Sequence, residues 1–426
     1  MSKASETATS NSINSGKYPE SIADAKNHQY CFWSNKPVLD FNETVGTSEP
    51  FEELIERQVY SSDNPVSLPS VLEWSEIDMT SDSDMKNVVS FLREHYLVDV
   101  SNKFKLDYTP DFIRWALGSK GFMIALVSKN NKNICGVVGA SIKSMTVFDK
   151  TKQSIASVDF LCAHPKYRKR KVAFVLIDEI VRRIVRGGCN VGCFTTNRCV
   201  PSPTTVIRYY HRPLHYTKLF DLGFTRLQDS KQTTINKFEK LFNVVAVNDP
   251  SYVLMKREDV QQVLKIYYEW MARFNIYTDY DEESFAEYFL GHDFIKTYCI
   301  LDKDKNIVDF VSMYLLPYCI DNNPEKINAG YLLTYTATKE STNQIIKNVL
   351  KIASNFNLDV FNVTDIMTIG ESILTREREN DEDSDTEEKN KMYEHKFIRG
   401  SGKIYFNFFN WKCPRVKPQQ INWVTP

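Results

Sequence analysis

Apolar and polar positions alternate along the chain in two successive series of similar character. In the first, within 67–225, the spacing predicts a helix at 84–96, strands at 122–128, 134–148 and 155–163, and a helix from about 171. In the second, within 250–413, it predicts a helix at 257–273, strands at 297–301, 307–317 and 330–337, a helix at 342–355 and a strand at 357–363. The shared order of helix, paired strands, strand, helix and strand indicates an α+β unit used twice.

Two polar segments lie outside these series. Residues 1–27 are rich in Ser, Asn, Ala and Lys, which predicts a disordered N-terminal tail. Residues 375–390 are strongly acidic and contain no apolar side chain, which predicts a solvated loop insertion. We therefore divide the ordered chain into an N-terminal half, 28–230, and a C-terminal half, 231–426, which carries the insertion.

Composition excludes several classes of protein. Lys plus Arg number 53 and Asp plus Glu 54 in 426 residues, so no global field attracts nucleic acid or acidic membranes. No apolar run approaches the roughly 20 residues of a membrane span, so we expect no stable membrane insertion. The 9 cysteines lack metal-ligand spacing, which predicts reduced thiols in the cytoplasm and no metal site. We expect a monomer.

A basic cluster interrupts the first series between its last strand and the following helix. It consists of Lys166, Arg168, Lys169, Arg170 and Lys171. The helix that follows places Val172, Leu176, Ile180 and Ile184 on one stripe. Cations at a strand–loop–helix start coincide with the positive end of a helix dipole, which favours an anion pocket. From the residues alone, acyl-CoA or nucleotide phosphate is favoured, and a solvated or targeting run and a nucleic-acid patch stay open.

The spacing within the cluster favours coenzyme A. Arg168, Lys171 and Ala173 fall at the R-x-x-G-x-A positions with which acetyltransferase-type folds hold pyrophosphate, with Lys171 in place of the glycine. The segment FLCAHPKYRKRKVAFVLIDEIVRR (160–183) resembles protein N-myristoyltransferases, in which that position is already basic. Further collinear matches are YCFWSNKPV (30–38), SLPSVLEW (67–74), NKFKLDYTPDFIRWAL (102–117), IRYYHRPLHYTKL (207–219), DFVSMYLLP (309–317), LDVFN (358–362) and FNWKCP (409–414).

This resemblance implies a fold and a donor site. The fold is two pseudo-symmetric acetyltransferase-like (GNAT-type) halves forming one continuous mixed sheet flanked by helices, the first half binding myristoyl-CoA and the second binding peptide. Phe160 and Leu161 would form the oxyanion hole with their backbone N–H groups. The residues implied to contact the coenzyme are Tyr30, Phe32, Trp33, Phe160, Leu161, Cys162, Arg168, Lys169, Arg170, Lys171, Val172 and Ala173.

The resemblance also implies an activity, the transfer of myristate from myristoyl-CoA to the α-amine of an N-terminal glycine. The base would be the chain's own C-terminal carboxylate, on Pro426, and Thr195 would bind the amine or relay its proton. Myristoyl-CoA is the donor substrate, and the partners are the glycine-terminated peptides of client proteins. The implied peptide groove contains Tyr96, Leu97, Asp99, Phe104, Leu106, Tyr108, Tyr209, His211, Ser312, Tyr331, Asn362 and Asp365.

The sequence departs from the family pattern near the reacting groups. Asp159 stands where the family has asparagine, Phe174 replaces a proline, and Ser401 replaces the aspartate of a G-D-G motif. In the family's acidic run, here 96–101, only Asp99 stays acidic. We hypothesise that Asp159 helps to hold the substrate ammonium. The alternative function is a non-catalytic protein of the same fold that binds acyl-CoA or acyl-peptide.

Overall fold

One large mixed sheet with helices on both faces organises the chain in a computed structural model, which describes residues 19, 22–46, 62–97, 103–148, 151–200, 202–225, 231–245, 249–372 and 394–423. The helices are α1 (Ile22–Lys26), α2 (Asp82–His95), α3 (Pro110–Leu117), α4 (Val172–Arg186), α5 (Tyr216–Asp221), α6 (Gln232–Phe242), α7 (Val260–Met271), α8 (Glu282–Phe289), α9 (Thr342–Ser354) and α10 (Ile369–Ser372). The strands are β1 (Leu72–Ile77), β2 (Phe104–Leu106), β3 (Phe122–Ser128), β4 (Ile134–Val147), β5 (Thr151–Ala163), β6 (Gly192–Thr196), β7 (Thr205–Pro213), β8 (Tyr252–Leu254), β9 (Ile276–Thr278), β10 (Ile295–Leu301), β11 (Ile307–Leu315), β12 (Tyr318–Ile320), β13 (Asn323–Ile327), β14 (Ala329–Tyr335), β15 (Val360–Thr364), β16 (Ile398–Phe409) and β17 (Ile421–Asn422).

The main sheet repeats one arrangement in its two halves. Its 14 strands follow the order β1-β3-β4-β5-β6-β16-β7-β15-β14-β11-β10-β8, with β9 and β17 attached through β4. Each half has an antiparallel run, β1-β3-β4-β5 or β8-β10-β11-β14. Each run ends in a parallel pair joined by a helix, β5-α4-β6 or β14-α9-β15. The predicted α+β class with one continuous mixed sheet is thus confirmed.

The two halves exchange strands at the centre of the sheet. Strand β7, from the first half of the chain, pairs with β15, and β16, from the second half, pairs with both β6 and β7. Because each half completes the other's sheet, they form one structural unit. The boundary proposed at 230 and 231 stays a prediction, since 226–230 lie outside the described residues.

Alternate residues of the strands enter cores on opposite faces of the sheet. Along β3, Met123 and Ala125 join the core that contains α2, α3 and α7, whereas Ile124 and Leu126 join the core that contains α4. This follows from the two-residue period of a strand. The stripe predicted on α4 is buried in the second core.

Hydroxyl caps fix two helix starts: Ser81 accepts the Asp84 N–H, and Thr109 accepts the Phe112 N–H.

Several elements differ from the periodicity-based predictions. Strand β1 was not predicted, because it lies at the sheet edge with mostly half-buried side chains and shows no clear alternation. Strand β5 begins at Thr151, before the predicted 155–163. Helix α1 lies inside the segment 1–27 that was predicted to be disordered, and it is held by the buried Ala25. The acidic segment 375–390 lies outside the described residues.

Candidate active site

A gap opens in the sheet where β5 and β6 separate. The two strands pair in parallel from Ala156 and Gly192 to Val158 and Phe194, and the pairing ends there. Strand β5 nevertheless continues for five residues to Ala163. The side chains that follow the last pair, Asp159, Phe160, Leu161, Thr195 and Thr196, line a cavity. The separation therefore brings Phe160, Leu161 and Thr195, for which the resemblance implied catalytic roles, together with Asp159, which we hypothesised to hold the ammonium.

A bulge turns the backbone of β5 at this gap. Val137 of β4 pairs with Cys162 and Gly139 pairs with Asp159, so Phe160 and Leu161 both lie opposite Val138. Phe160 takes a left-handed φ of 57°, which is uncommon for a residue with a side chain. A bulge leaves its extra residue outside the regular ladder. Here the Phe160 backbone also hydrogen-bonds the Tyr96 side chain, which packs near the Phe160 ring.

The cavity below the gap has a volume of about 240 Å³ and a mostly apolar wall. Helix α4 contributes Ile177, Ile180, Val181, Ile184 and Val185 to that wall. Across from them lie Val158, Leu161, Phe194, Val200 and Phe409. Such a lining suits an extended hydrocarbon chain and offers little to a charged ligand. Cys162 instead packs in the core on the opposite face, and burial raises its pKa to about 12, so its thiol stays protonated.

The N-terminal segment closes the cavity on one side. The Trp33 ring stacks on Phe194 with centroids 5.2 Å apart and also lines the cavity. Phe32 stacks on Phe174, with centroids 4.1 Å apart, at the position where the family has proline. The Tyr30 hydroxyl donates to the Cys199 carbonyl at 2.6 Å. Tyr30, Phe32 and Trp33, which were predicted to contact the coenzyme, therefore lie beside the cavity and α4.

The basic cluster forms a short 3-10 helix, Pro165–Arg170, directly before α4. Arg168 uses its Nε to donate to the Ala163 carbonyl at 3.1 Å and its Nη2 to donate to the His95 carbonyl at 2.8 Å. Lys171 has a left-handed φ of 61° and joins the two helices. The side chains of Arg168, Arg170 and Lys171 are exposed, and the side chain of Lys169 is not among those described. Cations thus surround the N-terminal end of α4, with Val172 buried behind it and Ala173 half-buried.

Asp159 has polar partners on the other face of the gap. Ser157 Oγ donates to Asp159 Oδ2 at 2.7 Å. Burial raises the pKa of Asp159, and the Lys143 ammonium and the Ser157 hydroxyl oppose that rise. Lys143 lines a second, larger cavity of about 740 Å³ between α3, β4 and α8, which sequence reasoning missed. Lys143 lies on a strand outside every recognised motif, so the sequence did not single it out.

Most of the predicted peptide-groove residues meet on the face opposite α4. His211 Nδ1 and Asn362 Oδ1 are 2.6 Å apart, and burial lowers the pKa of His211. The Tyr209 ring lies 6.3 Å from both the His211 and the Tyr331 rings, and burial raises the pKa of Tyr209 to about 12. Tyr108 contacts the Phe160 ring at 5.6 Å, which joins this cluster to the gap. These residues form an aromatic wall with one half-buried histidine.

The remaining predicted residues have other environments. Ser312 is fully buried and hydrogen-bonds Thr297. Asp365 accepts the Arg208 N–H at 2.8 Å at the end of β15. Leu97 lines the α4 cavity, and Leu106 is half-buried against the core. Asp99 and Pro426 lie outside the described residues.

Two aromatic residues of this wall were missed by sequence reasoning. The Phe224 ring packs against Phe104 at 5.2 Å and against Tyr318 at 5.6 Å, and Tyr331 donates a hydrogen bond to Tyr318 at 2.8 Å. Tyr318 lies just beyond the matched segment 309–317, and Phe224 just beyond 207–219. A search of the residues that flank each matched segment could have identified both.

Two further findings, on metal ions and on membrane spans, concern the described residues. Among these residues, no group of three or more His, Cys, Asp or Glu side chains is arranged to hold a metal ion. No helix formed by the described residues is both long and apolar enough to cross a membrane.

Comparison with known proteins gives consistent matches along the chain. The family model for the myristoyl-CoA:protein N-myristoyltransferase N-terminal domain matches residues 54–207, and that for the C-terminal domain matches residues 221–379. The chain is 30% identical to a probable glycylpeptide N-tetradecanoyltransferase of Caenorhabditis elegans, covering 97% of this chain and 90% of the relative. It is 30% identical to glycylpeptide N-tetradecanoyltransferase 1 of Arabidopsis thaliana, covering 96% and 91%.

Solved structures agree with these matches. The crystal structure of Saccharomyces cerevisiae N-myristoyltransferase with bound myristoyl-CoA superposes with a TM-score of 0.78 at 25% identity, covering 91% of this chain and 93% of that one. A second yeast structure, with bound myristoyl-CoA and inhibitors, gives a TM-score of 0.79 at 24% identity, covering 95% and 97%.

Proposed function

The chain belongs to the N-myristoyltransferase family, and from this we propose that it transfers myristate from myristoyl-CoA to the α-amine of an N-terminal glycine. It is an acyltransferase by that membership. The observation that carries the proposal is the apolar cavity under α4, which ends at the β5–β6 gap beside the Phe160–Leu161 bulge. An apolar cavity that meets a turned backbone suits a long acyl thioester. A cytoplasmic location and a monomeric state stay predictions.

The donor would lie across the start of α4. Its acyl chain would fill the cavity, and Trp33 and Phe194 would cover it. The pyrophosphate would meet the N-terminal N–H groups of α4 and the cations before it, since charge-assisted hydrogen bonds are roughly twice as strong as neutral ones. Arg168 would contribute mainly by fixing the loop, because two of its donor atoms already bind carbonyls. The yeast N-myristoyltransferase structure with bound myristoyl-CoA supports this choice of donor.

The oxyanion hole would be the bulge of β5. As the amine attacks the thioester carbon, negative charge develops on the carbonyl oxygen. The N–H groups of Phe160 and Leu161 would hold it, and one well-placed donor of this kind contributes about 3 to 4 kcal/mol in the best-studied case. The thioester oxygen would have to share the Phe160 backbone with Tyr96. The bulge supports the proposal because it removes Phe160 and Leu161 from the regular pairing with β4.

The base would be the C-terminal carboxylate of Pro426. An α-amine with a pKa near about 8 is mostly protonated at neutral pH, so it must lose a proton before it attacks. Trp423, the last described residue, is buried with its ring 5.0 Å from the Lys143 ammonium. Three further residues extend by at most about 10 Å, so the proposal requires the carboxylate to reach the gap from Trp423 within that length. The amine's first proton would pass to this carboxylate and its second to the departing thiolate of coenzyme A, as the carbon–nitrogen bond forms and the carbon–sulfur bond breaks.

The acceptor peptide would enter on the face opposite α4. Thr195 and Asp159, on the two edges of the gap, would hold its amine. The aromatic wall of Tyr108, Tyr209 and Tyr331 would line its path, with His211 kept neutral by burial.

A transfer assay tests the function. Labelled myristoyl-CoA is incubated with the protein and peptides that begin with glycine, each matched by a peptide that begins with alanine. We expect label on the glycine peptides alone. Saturable myristoyl-CoA binding without transfer to any glycine peptide would contradict the proposal and favour the non-catalytic alternative. That alternative is tested because Asp159 differs from the family's asparagine near the reacting groups.

A further inference from the structure

Residues 30–36 form a short turn, the N-terminal turn, which is tied to the rest of the protein at both ends. At its start, the Tyr30 hydroxyl donates to the Cys199 carbonyl at 2.6 Å. Just beyond its end, the Asn410 N–H donates to the Pro37 carbonyl at 2.7 Å. The position of the side chains between these two points depends on what the turn packs against.

Two side-chain contacts join the N-terminal turn to α4. The Phe32 ring stacks on the Phe174 ring with centroids 4.1 Å apart and planes inclined by 6°. Lys36 forms an ion pair with Asp178. Phe174 and Asp178 are four residues apart, so they lie on one face of the helix. The Lys36 ammonium also lies 4.7 Å from the centre of the Phe32 ring, which links the two contacts.

The next side chain of the turn, Trp33, reaches the acyl cavity. Trp33 begins a 3-10 helix, in which successive side chains point in directions about 120° apart. Phe32 therefore meets α4 while the buried Trp33 ring stacks on Phe194 at 5.2 Å and lines the 240 Å³ cavity. Since the two residues share one stretch of backbone, the stack of Phe32 on Phe174 also sets the position of Trp33.

The helix face that holds the turn continues to the cavity. Phe174, Asp178 and Val181 follow the i, i+4, i+7 spacing of one helical stripe, and Val181 lines the cavity. Phe174 stands where the family has proline, and a proline has no aromatic face. Residue 174 can therefore stack on Phe32 only because the family's residue has been replaced.

We propose that Phe174 is a positioning residue for the acyl donor that acts through Trp33: by stacking on Phe32, it holds the N-terminal turn on α4, so that Trp33 closes the cavity over the acyl chain. This inference rests on the proposed function. If Trp33 were displaced, part of the hydrocarbon would stay in contact with water, and donor affinity falls with the apolar area left exposed. The acyl chain should therefore respond to loss of the Phe174 ring, and the peptide should not.

Calorimetry of donor binding tests the inference with Phe174→Leu, which removes the aromatic face and keeps an apolar, helix-forming side chain. The dissociation constant of myristoyl-CoA should rise about tenfold, the upper value for an aromatic pair, while that of coenzyme A without an acyl group changes less than about twofold. Phe174→Tyr, which keeps the ring, should bind myristoyl-CoA as the wild type does. With saturating donor, kcat and KM for a glycine peptide should be unchanged in both variants.

A cycle with Trp33→Ala separates action through Trp33 from other roles. In that background, Phe174→Leu should weaken myristoyl-CoA binding by less than about twofold, because no ring is left to position. An equal loss in both backgrounds would overturn the inference. So would an equal loss for coenzyme A without an acyl group, since it would indicate that Phe174 contacts the coenzyme directly.

The matched control is Phe238→Leu on α6. Phe238 is also half-buried and stacks on Tyr216 with centroids 5.1 Å apart, but it is not one of the residues that line the cavity. Its loss should leave the affinity for myristoyl-CoA unchanged. A tenfold loss in this control as well would attribute the effect to general damage and overturn the inference.

Hydrogen exchange gives a second measurement that needs neither donor nor activity. The Ser34 N–H donates to the Tyr30 carbonyl at 2.9 Å, and the Lys36 N–H donates to the Trp33 carbonyl at 3.0 Å. Both amides should exchange at least about fivefold faster in Phe174→Leu, with unchanged rates in the middle of α4, because only the turn opens more easily. Unchanged exchange at both would reject the inference even if Trp33→Ala folds poorly. Absence of transfer by the wild-type protein would overturn the proposed function alone, because donor binding and exchange would still test the position of Trp33.

Discussion

At the scale of single residues, Lys171 explains a departure from a motif. The generic coenzyme A loop carries glycine at this position, and Lys171 takes the left-handed φ of 61° that glycine adopts without strain. A residue with a side chain takes this conformation at a cost of about 1 to 2 kcal/mol. In return the lysine places a cation directly before α4. The departure therefore keeps the backbone conformation and adds charge at the proposed phosphate site.

Gly400 is a second residue whose environment allows a prediction. A Cβ at Gly400 would lie 2.6 Å from His211 Nε2 and 3.1 Å from the Tyr209 carbonyl. The His211 ring is held by Asn362, so it cannot simply rotate away. Gly400→Ala should therefore raise KM for the glycine peptide by about tenfold, a cost near 1.4 kcal/mol, with less effect on kcat. Peptide steady-state kinetics measure this.

The matched control is Gly402→Ala. A Cβ there would meet nothing within 4 Å. It should leave KM unchanged. If both alanine variants raised KM equally, the contact at His211 would not be the cause.

His211 also predicts a pH dependence of stability. Burial lowers its pKa in the folded protein below the ordinary value of 6.5. The unfolded chain then binds more protons below that value, so the free energy of unfolding should fall as pH drops from about 6.5 through the folded-state pKa. His211→Gln should remove this part of the slope. Urea unfolding at pH 7 and 5.5 measures it, and identical slopes in both proteins would contradict the prediction.

At the scale of elements, helix α4 would serve both ends of the proposed donor. Its N-terminal end follows the basic loop, and its inner face lines the acyl cavity. The buried Glu179 holds the helix in place: it accepts hydrogen bonds from Arg182, Arg183 and the Val66 backbone. One helix therefore sets the distance between the proposed pyrophosphate site and the apolar cavity.

The cavity face of α4 predicts chain-length selection. Val181 is buried and lines the 240 Å³ cavity. Val181→Phe should occupy space that the distal acyl carbons need, so kcat/KM with myristoyl-CoA should fall about tenfold while donors two to four carbons shorter are retained. Competition among acyl-CoA donors measures this preference. Coenzyme A without an acyl group should bind with unchanged affinity, and an equal loss with every donor would indicate damage to the fold instead.

At the scale of the whole molecule, residues near both ends of the described chain pack beside the central strands of the sheet. Trp33 covers the acyl cavity, and Trp423 packs against Phe406 of the exchanged strand β16 and near Lys143. The strand exchange between the halves makes this possible, because β16 and β7 lie side by side where the halves meet. A catalytic chain terminus becomes feasible in such an arrangement.

The C-terminus carries the prediction at this scale. Deleting Thr425 and Pro426, or appending a C-terminal tag, should reduce acyl transfer by at least about 100-fold, because a general base contributes about that factor or more. Myristoyl-CoA binding, measured by calorimetry, should be unchanged. An N-terminal tag of the same length is the control. Near-wild-type turnover by the C-terminally tagged protein would refute the assignment of Pro426 as the base.

Particular residues show how far sequence reasoning reached. The strand at 122–128 and the α4 stripe were predicted because a strand's two-residue period and a helix's 3.6-residue period are local properties. The family membership followed from short collinear motifs, of which the basic loop was the clearest. Lys143 gave no local signal, and the signal for Phe224 and Tyr318 was only their closeness in sequence to matched segments, because their contacts are with residues far away in the chain.

The sequence by itself determined the element types, the family and the candidate positions around 159–173, because local periodicity and motif spacing are written along the chain. Only the tertiary structure decided the separation of β5 and β6, the bulge at Phe160 and the raised pKa of Asp159. Register between strands depends on the packing of both faces of the sheet, and the charge state of a buried group depends on every neighbour that replaces water around it. Neither can be read from a single segment.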